Sequence, residues 1–156
     1  MERRIGIIVN PDAGLGGRLA LKGSDGMAEI ARAKGAEDRA GPRMYEAFEH
    51  LFSIIELSLV PWDNVHWLLP KGRMGDSWIP EKMKIHGKWT NISDTPEVTT
   101  AEDTINVVNS MIEQNVEIIL YAGGDGTTRD IIGALENIDS ASTPILGIPA
   151  GVKMHS

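Results

Sequence analysis

The chain has 156 residues, 42% of them apolar and 24% charged, with a formal net charge of -7 and no cysteine. This composition suits one globular domain with its own core and excludes disulfides, thiolate metal sites and thiol chemistry, while the acidic balance argues against nucleic-acid binding. No stretch approaches the roughly 20 apolar residues of a membrane span, and the apolar run after Met1-Glu2-Arg3-Arg4 is too short for a signal-peptide core, so a soluble, cytoplasmic protein is expected.

Ile5 to Asn10 predicts a first strand that runs into a glycine turn, Asn10-Pro11-Asp12-Ala13-Gly14-Leu15-Gly16-Gly17. A short helix is expected over Met27 to Lys34, ended by Gly35. Pro42 then opens a longer helix with Met44, Ala47, Phe48, Leu51, Ile54 and Ile55 at helical spacing. Asn64 to Leu69 reads as the second strand, closed by Pro70, and Lys84 to Trp89 as an edge strand, with a Pro80-interrupted helical segment over Asp76 to Met83 between them. Thr99-Thr100-Ala101-Glu102 has the form of a capping box in which Thr99 and Glu102 satisfy backbone donors; the helix behind it carries Ile105, Val108, Met111 and Ile112 on one face. Val116 to Ala122 is the next strand, Thr128 to Asn137 the next helix and Pro144 to Ile148 the last strand. Strands and helices thus alternate along one domain spanning residues 1–156, the pattern of an α/β fold with a doubly wound, mostly parallel sheet and helices on both faces.

Three glycine turns follow apolar runs in this pattern. The most informative lies within residues 118 to 133, where Gly123-Gly124-Asp125-Gly126-Thr127 joins a buried strand to a helix with Asp125 at the apex. Glycines let the backbone turn sharply and approach a bulky anion, and the helix N-terminus offers unpaired N–H groups and a positive dipole end. A carboxylate beside bound phosphate needs a reason to be there: it holds a divalent cation, or it takes a proton from an attacking hydroxyl. The competing reading is an aspartate that merely caps the helix. The Asn10 to Gly17 turn and the Gly147-Ile148-Pro149-Ala150-Gly151 turn supply company, because the carboxyl ends of parallel strands share one edge and the turns can converge on one crevice. No Gly-x-x-x-x-Gly-Lys-Ser/Thr run exists, and Gly14-Leu15-Gly16-Gly17 fails the Gly-x-Gly-x-x-Gly spacing, so neither the P-loop nor the common dinucleotide fingerprint is present.

Other residues read as structural. His50, His66 and His86 lack metal-ligand spacing, and Trp62, Trp67, Trp78 and Trp89 suit packing or a face covered by another domain or subunit. Asp130 suits the helix dipole, and Arg129 meets either a phosphate or an acidic neighbour.

Asn10-Pro11 with Gly14, Gly16 and Gly17, the Thr99-Thr100-Ala101-Glu102-Asp103-Thr104 run, Gly123-Gly124-Asp125-Gly126-Thr127 and the ending Gly147-Ile148-Pro149-Ala150-Gly151-Val152-Lys153-Met154-His155-Ser156 together resemble the ATP-NAD kinase family, in its archaeal-type branch. Diacylglycerol and sphingosine kinases share a similar start and Gly-Gly-Asp-Gly-Thr turn, but the other two runs look closer to the NAD kinase-like branch. The resemblance implies phosphoryl transfer from ATP, or from polyphosphate, to the 2'-hydroxyl of NAD, with Mg2+ or another divalent cation. It implies Asp125 as the catalytic carboxylate, as general base or as metal-positioning group. Phosphate or nucleotide contacts are implied for Asn10, Gly14, Gly16, Gly17, Gly123, Gly124, Gly126, Thr127 and Lys153, and substrate contacts for Asp103 and His155. No metal site of the protein alone is expected, the cation being carried by phosphates with Asp125 as a possible further ligand. Kinases of this family pair such a domain with a C-terminal β-rich domain and are commonly oligomeric, so the chain reads as the N-terminal phosphate-binding half of a homo-oligomeric kinase. A lipid or sugar kinase of the same superfamily and a non-catalytic nucleotide-binding module are the alternatives.

Overall fold

The computed structural model describes residues 1–15, 33, 37–58, 61–139 and 142–150. Its strands are β1 (Arg3–Val9), β2 (Val65–Lys71), β3 (Lys88–Asp94), β4 (Ile118–Gly123) and β5 (Ile145–Pro149), and its helices are α1 (Ala40–Leu57), α2 (Ala101–Glu113) and α3 (Asp125–Asn137). The strands form one sheet in the order β3-β2-β1-β4-β5, and every pairing is parallel. Ile7, Ile8 and Val9 in the middle strand are inaccessible to solvent, the continuous apolar run that a parallel strand covered on both faces requires.

The alternation of side chains along β1 divides the core in two. Ile7 and Val9 pack with Trp67, Leu69 and Ala122 against Ala40, Met44, Phe48 and Ile55 of α1. Ile8 packs with Leu68, Ile119 and Tyr121 against Val107, Val108 and Met111 of α2 and Ile131, Ala134 and Leu135 of α3. Burial of each Val, Leu, Ile, Met or Phe side chain among these contributes about 1.5–3 kcal/mol. The expected doubly wound architecture with helices on both faces is what these clusters build.

Several boundaries differ from the sequence reading, each for a local reason. Pro70 lies inside β2 rather than after it. The β1 pairing ends at Gly6 opposite Leu68, and the β3 pairing shifts register between Leu69 and Lys71, so a bulge absorbs the missing N–H. The edge strand begins at Lys88, not Lys84, because Glu81–Ile85 closes a 3-10 turn. The expected helix over Asp76 to Met83 is likewise two 3-10 turns, Asp76–Trp78 and Glu81–Ile85, with Pro80 between them. Gly147 is a residue of β5 paired with Tyr121 rather than the start of a turn. The helix expected over Met27 to Lys34 lies outside the described residues but for Ala33.

The tryptophans pack. Trp67 is 1% exposed. It lies between Trp62 (centroids 6.4 Å apart) and Trp89 (5.1 Å) in near-parallel stacks, with Phe48 edge-on at 5.6 Å. Both Trp67 Nε1 and Trp89 Nε1 donate to the His86 carbonyl, at 3.1 and 3.2 Å. His66 Nε2 meets Thr90 Oγ1 at 2.8 Å across the same strand pair, so these histidines serve the sheet.

Candidate functional site at the switch point of the sheet

Chain order places β2 and β3 on one side of β1 and β4 and β5 on the other, so the topology reverses between β1 and β4. Open α/β sheets bind ligands in the crevice outside the carboxyl ends at such a point. Val9 pairs with Ala122 and Gly123 with Pro149, so the segments that follow β1, β4 and β5 leave the sheet at one level.

The lips of the crevice are tied together by side chain and backbone. Asn10 Nδ2 donates to Thr127 Oγ1 at 2.8 Å, and the Asn10 N–H donates to the Ala122 carbonyl at 2.9 Å. The other end of the Asn10 amide, Oδ1, accepts the Asp12 N–H at 3.1 Å, an Asx turn that bends the chain directly after β1. On the far side the Ala150 N–H donates to the Gly123 carbonyl at 3.1 Å. Gly14 completes the ring with φ of 81°, where a methyl group would stand 2.2 Å from the Ala150 carbonyl oxygen. Only glycine accepts both that dihedral and that approach. Thus the turns containing Asn10, Gly14, Gly123 and Ala150 are brought to one place, while Gly16, Gly17, Lys153 and His155 lie outside the described residues.

At the opening stands α3. It starts at Asp125, three residues earlier than the sequence reading placed it, with Gly124 as its N-cap and no side-chain cap. Its Thr128 N–H bonds the Gly124 carbonyl at 3.0 Å. Among the described residues no acceptor takes the N–H of Asp125, Gly126 or Thr127, so the orphan donors of the first turn remain available to an anion. The Gly124 carbonyl also receives Thr128 Oγ1 at 3.1 Å. That commits the Thr128 proton and makes the buried Tyr121 hydroxyl the donor in their 2.6 Å contact.

The glycines of this turn differ in what they do. At Gly123 a methyl group would fall 2.5 Å from Thr127 Oγ1, so this glycine seats Thr127. At Gly124 and Gly126 a methyl group would meet nothing within 4 Å among the described residues. Packing does not require either to be bare; a ligand pressed against the backbone would. Asp125 is exposed and has neither a hydrogen bond nor an ion pair among the described residues, so its carboxylate is not spent on capping α3.

Thr127 and Asp103 sit differently from a simple ligand. Thr127 is 3% exposed, and its hydroxyl accepts the Asn10 amide while keeping its own proton to give. Asp103 is the partner in the capping box of α2: the box runs from Thr100 to Asp103, not from Thr99 to Glu102. Its Oδ2 accepts the Thr100 N–H at 2.8 Å and the Thr100 hydroxyl at 2.9 Å. Thr99, freed from the cap, donates through Oγ1 to Asp12 Oδ2 at 3.2 Å and ties the start of α2 to the β1 turn. The sequence reading passed over Asp12 and Tyr121; the Asn-x-Asp spacing of an Asx turn signals the first, and nothing local signals the second.

No cluster of three histidine, aspartate or glutamate side chains that could hold a metal occurs among the described residues. Mg2+ takes one or two carboxylates beside phosphate oxygens and keeps several waters. An exposed, unpaired Asp125 next to free N–H groups fits a cation that arrives on phosphates.

Compared with protein-family models, residues 5–156 match the ATP-NAD kinase N-terminal domain. No curated protein matches the chain.

Proposed function

This chain belongs to the ATP-NAD kinase N-terminal domain family, and from that premise we propose that it takes part in phosphoryl transfer from ATP or polyphosphate to the 2'-hydroxyl of NAD. The observation that carries this reading is the pairing of an exposed Asp125, unpartnered among the described residues, with first-turn N–H groups of α3 that no described acceptor takes, at the rim where Asn10, Gly14, Gly123 and Ala150 meet.

The residues act as follows. The N–H groups of Asp125, Gly126 and Thr127, with the positive end of α3 behind them, hold phosphate oxygens and offset their charge. The bare Gly124 and Gly126 let the phosphate reach the backbone, and the Asn10–Thr127 bond fixes the width of the crevice. A bound Mg2+ supplies charge neutralisation on the transferred group. Asp125 orients the attacking hydroxyl and accepts its proton; one O–P bond forms, the P–O bond to the departing ADP or shortened polyphosphate breaks, and the proton ends on the carboxylate. On the same reading Asp103 and, beyond the described residues, His155 are assigned to substrate contacts, and Lys153, also beyond them, to phosphate binding.

No helix among the described residues is long and apolar enough to cross a membrane. We place the protein in the cytoplasm as a homo-oligomer on the habit of the family.

The test is NADP formation from NAD with ATP and Mg2+, alongside calorimetric binding of each nucleotide. Asp125→Asn should lower turnover by about 100-fold or more, the scale of one general-base group, with nucleotide affinity within a few fold. Full turnover by Asp125→Asn would remove Asp125 from the reaction. Binding of ATP or NAD with no NADP formed even when a C-terminal β-rich domain of the family is supplied would favour the non-catalytic module.

A further inference from the structure

Tyr121 is 3% exposed and belongs to the core cluster beneath α2 and α3. A buried hydroxyl requires a partner. The one it has is Thr128 Oγ1, at 2.6 Å, and Thr128 passes its own proton to the Gly124 carbonyl at 3.1 Å. Tyr121 stands in β4, three residues before Gly124, and Thr128 stands in α3, four residues after it. The chain of bonds therefore crosses from the strand that enters the turn to the helix that leaves it, and it ends on the backbone of the turn itself.

This turn has little else to hold it. A methyl group at Gly124 or Gly126 would meet nothing within 4 Å among the described residues, so packing does not fix the stretch, and glycine backbone is the freest to rotate. The Gly124 carbonyl accepts the Thr128 N–H at 3.0 Å as well as the Thr128 hydroxyl. A trans peptide is planar, so a carbonyl held back along α3 aims the Asp125 N–H the other way, out of the first turn. Rotation of this single peptide would replace that donor by a carbonyl oxygen and swing the backbone on which the Asp125 carboxylate stands. Successive hydrogen bonds polarise one another, so the Tyr121 proton strengthens the hold of Thr128 on Gly124.

We infer that Tyr121 is a positioning residue for the phosphoryl-transfer crevice: acting through Thr128, it locks the Gly124–Asp125 peptide in the orientation that serves the phosphates. The inference rests on the proposed function of the crevice and adds to it a buried residue that touches no substrate.

The experiment compares the full-length wild type with Tyr121→Phe, Thr128→Val and Thr128→Ser. Phenylalanine and valine keep the shape and remove the hydroxyl, whereas serine keeps the hydroxyl. Three readouts are taken: the melting temperature, amide NMR order parameters of Gly124, Asp125 and Gly126, and calorimetric affinity for ATP and for NAD. In Tyr121→Phe and Thr128→Val the order parameters of the turn should fall from the rigid value of about 0.85 toward about 0.6. Affinity for at least one nucleotide should fall about 3- to 10-fold at a temperature where the variants are folded, the scale of one hydrogen bond. Thr128→Ser should restore both, and adding Tyr121→Phe to Thr128→Val should weaken binding no further. A hydroxyl that serves stability alone would lower the melting temperature and leave the other two readouts at wild-type values. That result, or a loosened turn with unchanged affinity for both nucleotides, overturns the inference while the crevice reading stands. Failure of the wild type to bind either nucleotide overturns both.

Discussion

Thr127→Val isolates the bond that holds the crevice lips together. Valine has the shape of threonine, so the seat over Gly123 is kept and only the hydroxyl goes. The Asn10 amide then loses its acceptor at 2.8 Å. A hydrogen bond contributes about 1 kcal/mol net, and a buried donor left unpaired costs about 1–3 kcal/mol. Asn10 is only part-buried, so water recovers part of that loss, and the new methyl group returns about 0.8 kcal/mol of burial. The expected net destabilisation is about 1 kcal/mol, a fall in Tm of roughly 2–4 °C for a domain of this size. Asn10→Ala should cost more, because it also removes the acceptor of the Asp12 N–H. The measurement is urea unfolding of the wild type, both single variants and the double variant. A shared bond predicts a coupling energy of roughly 0.5–1 kcal/mol. Single-variant effects that simply add would refute the claim that this contact joins the lips, and a Thr127→Val protein as stable as wild type with no loss of nucleotide affinity would refute its importance.

Gly126→Ala should separate binding from stability. Among the described residues a methyl group there meets nothing within 4 Å, and alanine is favoured over glycine inside a helix by about 0.5–1 kcal/mol. The variant should melt at or above the wild-type temperature while nucleotide affinity falls; a variant of unchanged affinity would show that no ligand presses on that backbone. Gly14→Ala should do the reverse: the φ of 81° and the Ala150 carbonyl at 2.2 Å leave no room for a side chain. A stability loss of about 2 kcal/mol or more is expected from the dihedral and the clash together, read as a Tm shift; a loss below about 0.5 kcal/mol would mean that the β1 and β5 turns do not meet as described.

Much of the fold is legible from spacing. The apolar runs at Ile5 to Val9 and Ile118 to Ala122 mark buried parallel strands, and Met44, Phe48 and Ile55 mark the inner face of α1, because burial on both faces or on one stripe leaves a period in the sequence. Strand order leaves no such period, because the place of β1 between β2 and β4, and with it the switch point, is set by packing among segments far apart in the chain. The site divides in the same way. The glycines and Asp125 are visible as a motif, but which glycine seats Thr127 and which faces open space depends on neighbours distant in sequence. The capping box was misread by one residue because Thr99 and Thr100 are interchangeable on paper; in space Thr99 is claimed by Asp12.

All four tryptophans fall between residues 62 and 89, and three of them share one stack along β2 and β3. The strands β4 and β5 and the helices α2 and α3, the last of which carries Asp125, contain none. Tryptophan fluorescence is therefore a built-in reporter of one flank alone, blind to the other. Overlaying its melting curve on that from far-ultraviolet circular dichroism asks whether the two sides of the switch point come apart in a single cooperative event or in succession.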